Sequence, residues 1–178
     1  QVIERIAAGA AVMNTGDPRN FKTMFGPMIS EAEAQRAESW IEEAKAAGAR
    51  VVTGGTRQGA VFQPTVLVDV AAGMKVIDQE IFAPVVSVIG FDQFEEAAEA
   101  INALPYALAT GVFSANIDVA IQAMHTLRVG SVHINDLPSS RTDSMPYGGL
   151  KDSGHGFEGP RYAMMEMSEE RVVTFRPT

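Results

Sequence analysis

The 178-residue sequence contains no cysteine. This excludes disulfides and cysteine-ligated metal sites, and it leaves no thiol for nucleophilic catalysis within the chain. No apolar run approaches the ~20 residues that a membrane-spanning helix needs. Positive charge is scarce, because 14 Lys and Arg stand against 22 Asp and Glu, for a net charge of −8. Since such a field repels a phosphate backbone, neither nucleic acid nor a membrane is expected as a partner.

The residues that are present are typical of an ordinary globular domain. Apolar residues make up 46% of the chain, with 16 Gly and 9 Pro, and the length suits one domain. No secretory signal pattern opens the sequence, and the lack of cysteine agrees with a reducing compartment, so a cytoplasmic protein is expected. Gln1 begins within a helical pattern that no capping residue precedes, which favours a piece of a longer protein.

Helical and β-type patterns alternate along the chain. Ser30 and Glu33 form a capping box that predicts a helix reaching Ala47. The alternation of short strands with helices of about ten residues predicts an α/β fold with a mostly parallel sheet flanked by helices. Helices are predicted at 1–13, 30–47, 94–103 and from 116 or 118 to 128, and strands at 50–53, 65–68, 85–89, 109–113, 130–135 and 171–176.

A long irregular stretch from 136 to 159 follows Asn135, which ends a predicted strand. Ligands of open α/β sheets bind beyond the carboxyl ends of strands, and loops of this length are usually functional or disordered. Gly148 and Gly149 within it permit a close approach to a ligand, or a loop packed only for shape. The order of residues is not that of a phosphate-binding P-loop.

Arg141 lies in this stretch among the potential hydrogen-bond donors Ser139, Ser140 and Thr142. Such a set suits an anionic substrate group. A surface ion pair between Arg141 and Asp143 explains the same residues, and the sequence alone leaves both interpretations open.

Glu80 and Phe82 precede the predicted strand at 85–89. A carboxylate beside an aromatic ring suits a polar ligand such as a ribose. An exposed Glu80 capping a short helix is the alternative, and the residues alone favour it.

No metal site is expected, because His125, His133 and His155 lack the spacing of metal ligands. A serine nucleophile is not expected either, since the loop serines have no obvious His and Asp partners.

Taken in order, several segments resemble signatures of the aldehyde dehydrogenase family across essentially the whole chain. Each block is weak by itself, but the ordered set is specific. The blocks are Gly-Asp-Pro at 16–18 with Gly-Pro-Met-Ile at 26–29, Phe-Gln-Pro-Thr-Val-Leu at 62–67, Gln-Glu-Ile-Phe-Ala-Pro-Val at 79–85, the strand ending in Asn135, and Pro-Tyr-Gly-Gly-Leu-Lys-Asp-Ser-Gly at 146–154.

The resemblance implies oxidation of an aldehyde to a carboxylic acid with NAD or NADP as cofactor. Glu80 matches the family's Glu that hydrogen-bonds the nicotinamide ribose, and Phe82 matches the aromatic residue that packs near the nicotinamide. Asn135 and Tyr147 match residues that line the substrate and nicotinamide pocket.

The loop around Ser140 and Arg141 resembles that of family members acting on small anionic aldehydes. Those members include succinate-semialdehyde, phosphonoacetaldehyde, lactaldehyde and glyceraldehyde-3-phosphate types. Ser140 and Arg141 are therefore assigned to the substrate pocket, with Arg141 contacting the anionic group.

The resemblance also implies how the chain is organised. Residues 1–167 match the later part of a catalytic domain, and residues 168–178 match a strand that joins a neighbouring copy's sheet in a homo-oligomer. The family's nucleophilic Cys, its general-base Glu and its Rossmann-like domain precede the matched segment. No catalytic residue is therefore assigned within this chain, and the chain alone is expected to be inactive.

Ala83 and Ala107 stand where the family pattern has glycine. Alanine would strain the backbone there if φ were positive. Together with the missing cysteine, these departures keep open a non-catalytic interaction module that retains the fold. A CoA-acylating aldehyde dehydrogenase is a further alternative.

Overall fold

The computed structural model describes residues 1–177, which divide into two compact units, Gln1–Gly90 and the residues from Phe91 onward. Both units mix helices with short strands, so the predicted α/β class is confirmed. The predicted boundary between residues 167 and 168 stays a prediction. Within the described residues, no helix combines the length and apolarity needed to span a membrane.

The first unit contains a three-stranded sheet, a short hairpin and three helices. Its elements are α1 (Val2–Ala11), α2 (Glu31–Ala46), β1 (Arg50–Thr53), β2 (Arg57–Gln58), β3 (Val61–Phe62), β4 (Thr65–Val68), α3 (Lys75–Asp78) and β5 (Val85–Ser87). In the sheet, β4 lies between β1 and β5, antiparallel to β1 and parallel to β5. No helix connects β1 to β4, and a return without a crossover helix gives an antiparallel pair.

Helix α2 buries a narrow apolar face against the first unit's core. Its buried residues are mostly alanines with Ile41 among them, and Phe62 and Leu67 are fully buried in the same cluster. Burying a side chain of Leu67's size contributes about 1.5–3 kcal/mol. The predicted cap is confirmed, because the Ser30 hydroxyl accepts a 3.2 Å hydrogen bond from the backbone N–H of Glu33.

The second unit contains two separate strand pairs and three helices. Its elements are α4 (Phe94–Ala103), β6 (Tyr106–Ala107), β7 (Ala109–Val112), α5 (Ile117–Thr126), β8 (Ser131–Ile134), β9 (Leu150–Lys151) and α6 (Pro160–Glu166). Strands β7 and β8 are parallel, whereas β6 and β9 are antiparallel. The buried cluster of this unit is formed by Ala98, Ala123 and Leu127.

The structure differs from the sequence-based prediction mainly in its short elements. The sheets are mixed, with two parallel pairings and three antiparallel ones among the described strands. Residues 168–177 carry neither helix nor strand. A strand exists only with a hydrogen-bonded neighbour, so the oligomerisation strand stays a prediction.

The anticipated strain at Ala83 and Ala107 is absent. The non-glycine residues with positive φ in the described part are instead Asp69, Phe82, Asn135 and Lys151. Ala83 packs against the core of the first unit, and Ala107 is buried in β6. These alanines therefore fit their backbone, and they do not support the alternative of a non-catalytic interaction module.

Candidate functional site

The segment from Glu80 to Ala83 alternates between core and solvent. Ile81 and Ala83 pack against the first unit's core, whereas Glu80 is exposed and Phe82 is 73% exposed. Phe82 has φ of 48°. This left-handed conformation is unfavourable for residues other than glycine, and residues that adopt it are often found at functional sites. The fold therefore displays the carboxylate and the aromatic ring together on one short loop.

Arg36 on α2 fastens this loop. Its Nη2 donates a 2.9 Å hydrogen bond to the carbonyl oxygen of Ile81. The guanidinium is held in turn by Glu33, at 2.7 Å, and lies 4.4 Å from the centre of the Trp40 ring. Sequence reasoning missed Arg36, although Glu33 and Trp40 lie three and four residues away on the same helix face.

The other end of the loop is fastened to β4. The backbone N–H of Thr65 donates to the carbonyl of Pro84 at 2.8 Å. The residue that caps the C-terminus of α3 is Gln79, whose backbone N–H donates to the carbonyl of Lys75. Glu80 is exposed, as the helix-cap alternative foresaw, but it does not cap that helix.

Asn135 lies directly after β8 with φ of 56°. Its amide oxygen accepts from the backbone N–H of Ser114 at 2.8 Å, and its amide nitrogen donates to the Ser114 carbonyl at 3.0 Å. The side chain thus extends the pairing of β7 with β8 by one step. In this arrangement Asn135 positions the start of the following loop, because both of its polar atoms are engaged by Ser114.

Ser140 is engaged within that loop as well. A hydrogen bond from its side chain, aided by the backbone N–H of Leu137 and by His133, lowers the pKa of Asp136 below its ordinary value. The Ser140 backbone N–H donates to the Leu137 carbonyl at 3.0 Å. The backbone N–H of Ser140 therefore closes a local turn.

Arg141 and Tyr147 lie together. The guanidinium carbon of Arg141 is 4.4 Å from the centre of the Tyr147 ring, within cation–π range. They line a hollow of about 390 Å³ whose other walls are apolar apart from Ser139. Ser139 lines this hollow together with Arg141, whereas the predicted Ser140 is not among the residues that line it.

The ion pair of Arg141 differs from the one considered in the sequence. Nη1 and Nη2 both donate to Oε2 of Glu158 at 3.3 Å, and among the described residues the salt bridge of Arg141 is with Glu158 and not with Asp143. Glu158 was missed because 17 residues separate it from Arg141 and no local pattern joins them.

The six predicted site residues fall into two groups. Glu80 and Phe82 belong to the first unit, and the remaining four belong to the second. Among residues 1–177, no three His, Asp or Glu side chains cluster in a way that suits a metal ion. His125 and His155 are exposed and His133 is half-buried.

The fold matches those of known aldehyde dehydrogenases. Aldehyde dehydrogenase 21 from Physcomitrella patens, solved in complex with the reaction product succinate, superposes with a TM-score of 0.94 at 42% identity, covering 98% of this chain and 36% of that one. Glyceraldehyde-3-phosphate dehydrogenase from Methanocaldococcus jannaschii, complexed with NADP, gives 0.89 at 38% identity, covering 94% of this chain and 36% of that one. These neighbours share the arrangement of helices and strands described above.

The sequence comparisons agree with the fold. Residues 1–173 match the aldehyde dehydrogenase family. The 3-sulfolactaldehyde dehydrogenase of Priestia aryabhattai is 42% identical over 158 residues, covering 89% of this chain and 33% of the relative. The lactaldehyde dehydrogenase of Methanocaldococcus jannaschii is 37% identical over 171 residues, covering 96% of this chain and 36% of the relative.

The chain therefore belongs to the aldehyde dehydrogenase family. It spans about a third of the length of the curated relatives that it matches.

Proposed function

We propose that the full-length protein carrying this chain is an NAD(P)-dependent dehydrogenase that oxidises small anionic aldehydes to carboxylic acids. The proposed substrate class rests on the position of Arg141, whose guanidinium stacks on Tyr147 at the wall of a mostly apolar hollow. A fixed positive charge beside apolar walls suits a short carbon chain that ends in an anion.

The first unit supplies the cofactor side of this proposal. NAD(P), when bound, supplies the hydride acceptor of the oxidation. The exposed Glu80 carboxylate suits ribose hydroxyls as an acceptor, and the exposed Phe82 ring offers a face for the nicotinamide. Arg36 and Thr65 hold both ends of the segment that carries them, so the two groups are displayed in a fixed order. One structural neighbour carries NADP and another, from Staphylococcus aureus, carries NAD+, so NAD and NADP both remain candidates.

The second unit supplies the substrate side. Arg141 holds the anion, and Tyr147 supports the guanidinium. Asn135 positions the start of the loop that carries both residues. Two comparisons support an anionic group, since one relative is named for 3-sulfolactaldehyde and one neighbour contains succinate. Other relatives are named for lactaldehyde and benzaldehyde, which are uncharged. The anionic substrate class is therefore inferred from Arg141 and not from the names of the relatives.

The chain by itself is proposed to be inactive. It has no cysteine, and the family chemistry implied by the resemblance requires a thiolate nucleophile. Homo-oligomerisation through residues 168–178 and a cytoplasmic location remain predictions of the sequence.

The test is formation of NADH or NADPH by the full-length protein with two aldehydes of equal carbon number, succinate semialdehyde and butanal. We expect turnover without CoA and a higher kcat/KM for succinate semialdehyde. A strict requirement for CoA would favour the acylating alternative. No turnover of any short aldehyde by folded protein would favour the non-catalytic interaction module.

A further inference from the structure

Arg141 is already paired with a carboxylate of its own chain. Both guanidinium donors reach the same oxygen, Oε2 of Glu158, at 3.3 Å. Charge-assisted hydrogen bonds are usually about 2.7–2.9 Å, and two-pronged pairs use both carboxylate oxygens. The side chains of Arg141 and Glu158 are 38% and 70% exposed, and exposed pairs contribute little to stability. The contact is therefore loose enough to exchange.

The backbone nevertheless fixes where Glu158 lies in the fold, which keeps its carboxylate within reach of Arg141. Tyr147 and Glu158 form an antiparallel bridge, in which each backbone N–H donates to the other's carbonyl, at 3.1 and 2.6 Å. The guanidinium of Arg141 in turn stacks on the ring of Tyr147. The fold thus brings Glu158 to Arg141 through Tyr147, instead of leaving two long side chains to meet by chance.

Glu158 also approaches from outside the hollow that Arg141 lines. It forms part of the wall of a neighbouring hollow of about 300 Å³, and Tyr147 is common to both. If Glu158 moves away, the stacking on Tyr147 still holds the guanidinium. An anion arriving through the Arg141 hollow then meets a charge that stays in place.

We infer that Glu158 is a specificity-determining residue that occupies the anion subsite at Arg141 until a substrate anion displaces it. The inference rests on the proposed function of Arg141. An anionic aldehyde must compete with the Glu158 carboxylate, whereas a neutral aldehyde makes no use of the guanidinium. Glu158 therefore lowers the preference for anionic over neutral aldehydes. An anionic aldehyde is held strongly when its hydrogen bonds to Arg141 have better geometry than those of the Glu158 carboxylate.

The experiment measures one ratio, kcat/KM for succinate semialdehyde divided by kcat/KM for butanal, in the full-length protein. Any loss of folding or turnover common to both substrates cancels in this ratio. The variants are Glu158→Gln, Arg141→Gln and the double variant. Asp143→Asn is the matched control, because it removes one negative charge from an exposed residue of the loop that, within the described residues, forms no salt bridge with Arg141.

We expect Glu158→Gln to raise the ratio about 2- to 5-fold, the range of a weak surface ion pair, and Asp143→Asn to leave it unchanged. In the Arg141→Gln background the effect of Glu158→Gln should disappear, since coupled residues fail to add.

The outcomes separate this inference from the proposed function. An unchanged ratio in Glu158→Gln, alongside a lowered ratio in Arg141→Gln, overturns the inference and leaves Arg141 as the anion contact. An effect of Glu158→Gln that persists without Arg141, or that Asp143→Asn reproduces, also overturns it. If Arg141→Gln leaves the ratio unchanged, the proposed substrate class itself is wrong.

Discussion

The guanidinium of Arg36 donates a 2.9 Å hydrogen bond to the carbonyl oxygen of Ile81. This contact ties the helix α2 to the loop that displays Glu80 and Phe82. A residue far from any proposed chemistry thereby controls the position of the proposed cofactor contacts.

Replacing Arg36 by Met should therefore weaken both the fold and cofactor binding. Hydrogen bonds to charged groups contribute ~1.5–3 kcal/mol, and because Arg36 is partly exposed we expect a loss of about 1 kcal/mol in the free energy of unfolding. Urea titration measures this loss. In the full-length protein, KM for NAD(P) should rise while KM for the aldehyde changes less.

Arg50→Met is the control for that variant. Within the described residues the Arg50 side chain pairs with Asp69 alone, at 3.3 Å, and both side chains are more than 60% exposed, so little change in stability is expected. Equal effects of Arg36→Met and Arg50→Met would show that the contact with Ile81 does not hold the loop.

The cap of α2 gives a second prediction. Ser30→Ala removes the acceptor for the Glu33 N–H and should lower the free energy of unfolding by about 1 kcal/mol. Ser39→Ala within the same helix removes only a bond to the Arg36 carbonyl and should change it by less than about 0.5 kcal/mol. Chemical denaturation of both variants provides the comparison, and a Ser39→Ala loss as large as that of Ser30→Ala would contradict the capping role.

Much of the fold can be predicted from sequence because its signals are local. The Ser30 cap, the helices and the longer strands depend on residues within a few positions of each other. The β2–β3 hairpin and the β6–β9 pair were missed because two-residue strands carry almost no periodicity. The mixed pairing was missed because strand direction depends on the connection between strands.

The candidate site is less predictable for a related reason. Glu80, Phe82 and Tyr147 were assigned to the candidate site from ordered motifs, and Arg141 from a loop rich in serine and threonine. The residues that hold the site in place were not predicted. Arg36 lies 45 residues from Ile81, to which it donates a hydrogen bond, and Glu158 lies 17 residues from Arg141. Contacts at such separations leave no pattern in a single sequence, because the fold alone brings them together.

Gly130 supplies a third prediction. A Cβ there would lie 1.9 Å from the carbonyl oxygen of Gly148 and 2.8 Å from that of Leu108. Gly130→Ala must therefore displace backbone next to Tyr147, and we expect a loss of about 1–3 kcal/mol in stability. Thermal unfolding measures it.

Gly9→Ala is the control for this steric argument. No atom lies within 4 Å of a Cβ at Gly9, which is inside α1. The substitution should stabilise the protein by about 0.5–1 kcal/mol, since glycine is unfavourable in a helix. Similar losses in both alanine variants would mean that crowding at Gly130 is not the cause.

The lowered pKa of Asp136 predicts a pH dependence. Because hydrogen bonds from Ser140 and Leu137 favour its charged form, Asp136 stabilises the fold fully above its ordinary pKa of 3.8. That contribution is lost as the pH falls through the lower pKa of the folded state. Asp136→Asn should lower Tm at neutral pH, and the difference from the parent should shrink well below pH 3.8. A difference that stays constant across this range would contradict the assignment.

The proposed substrate class requires that Arg141 recognises the anionic group of an aldehyde. This role is measured by NAD(P)H formation by the full-length protein and by its Arg141→Gln variant with succinate semialdehyde and butanal. We predict that the variant loses about 10- to 100-fold in kcat/KM for succinate semialdehyde, the range of one charged hydrogen-bonding contact, and keeps its kcat/KM for butanal. Equal losses for the two aldehydes, or none for either, would contradict it.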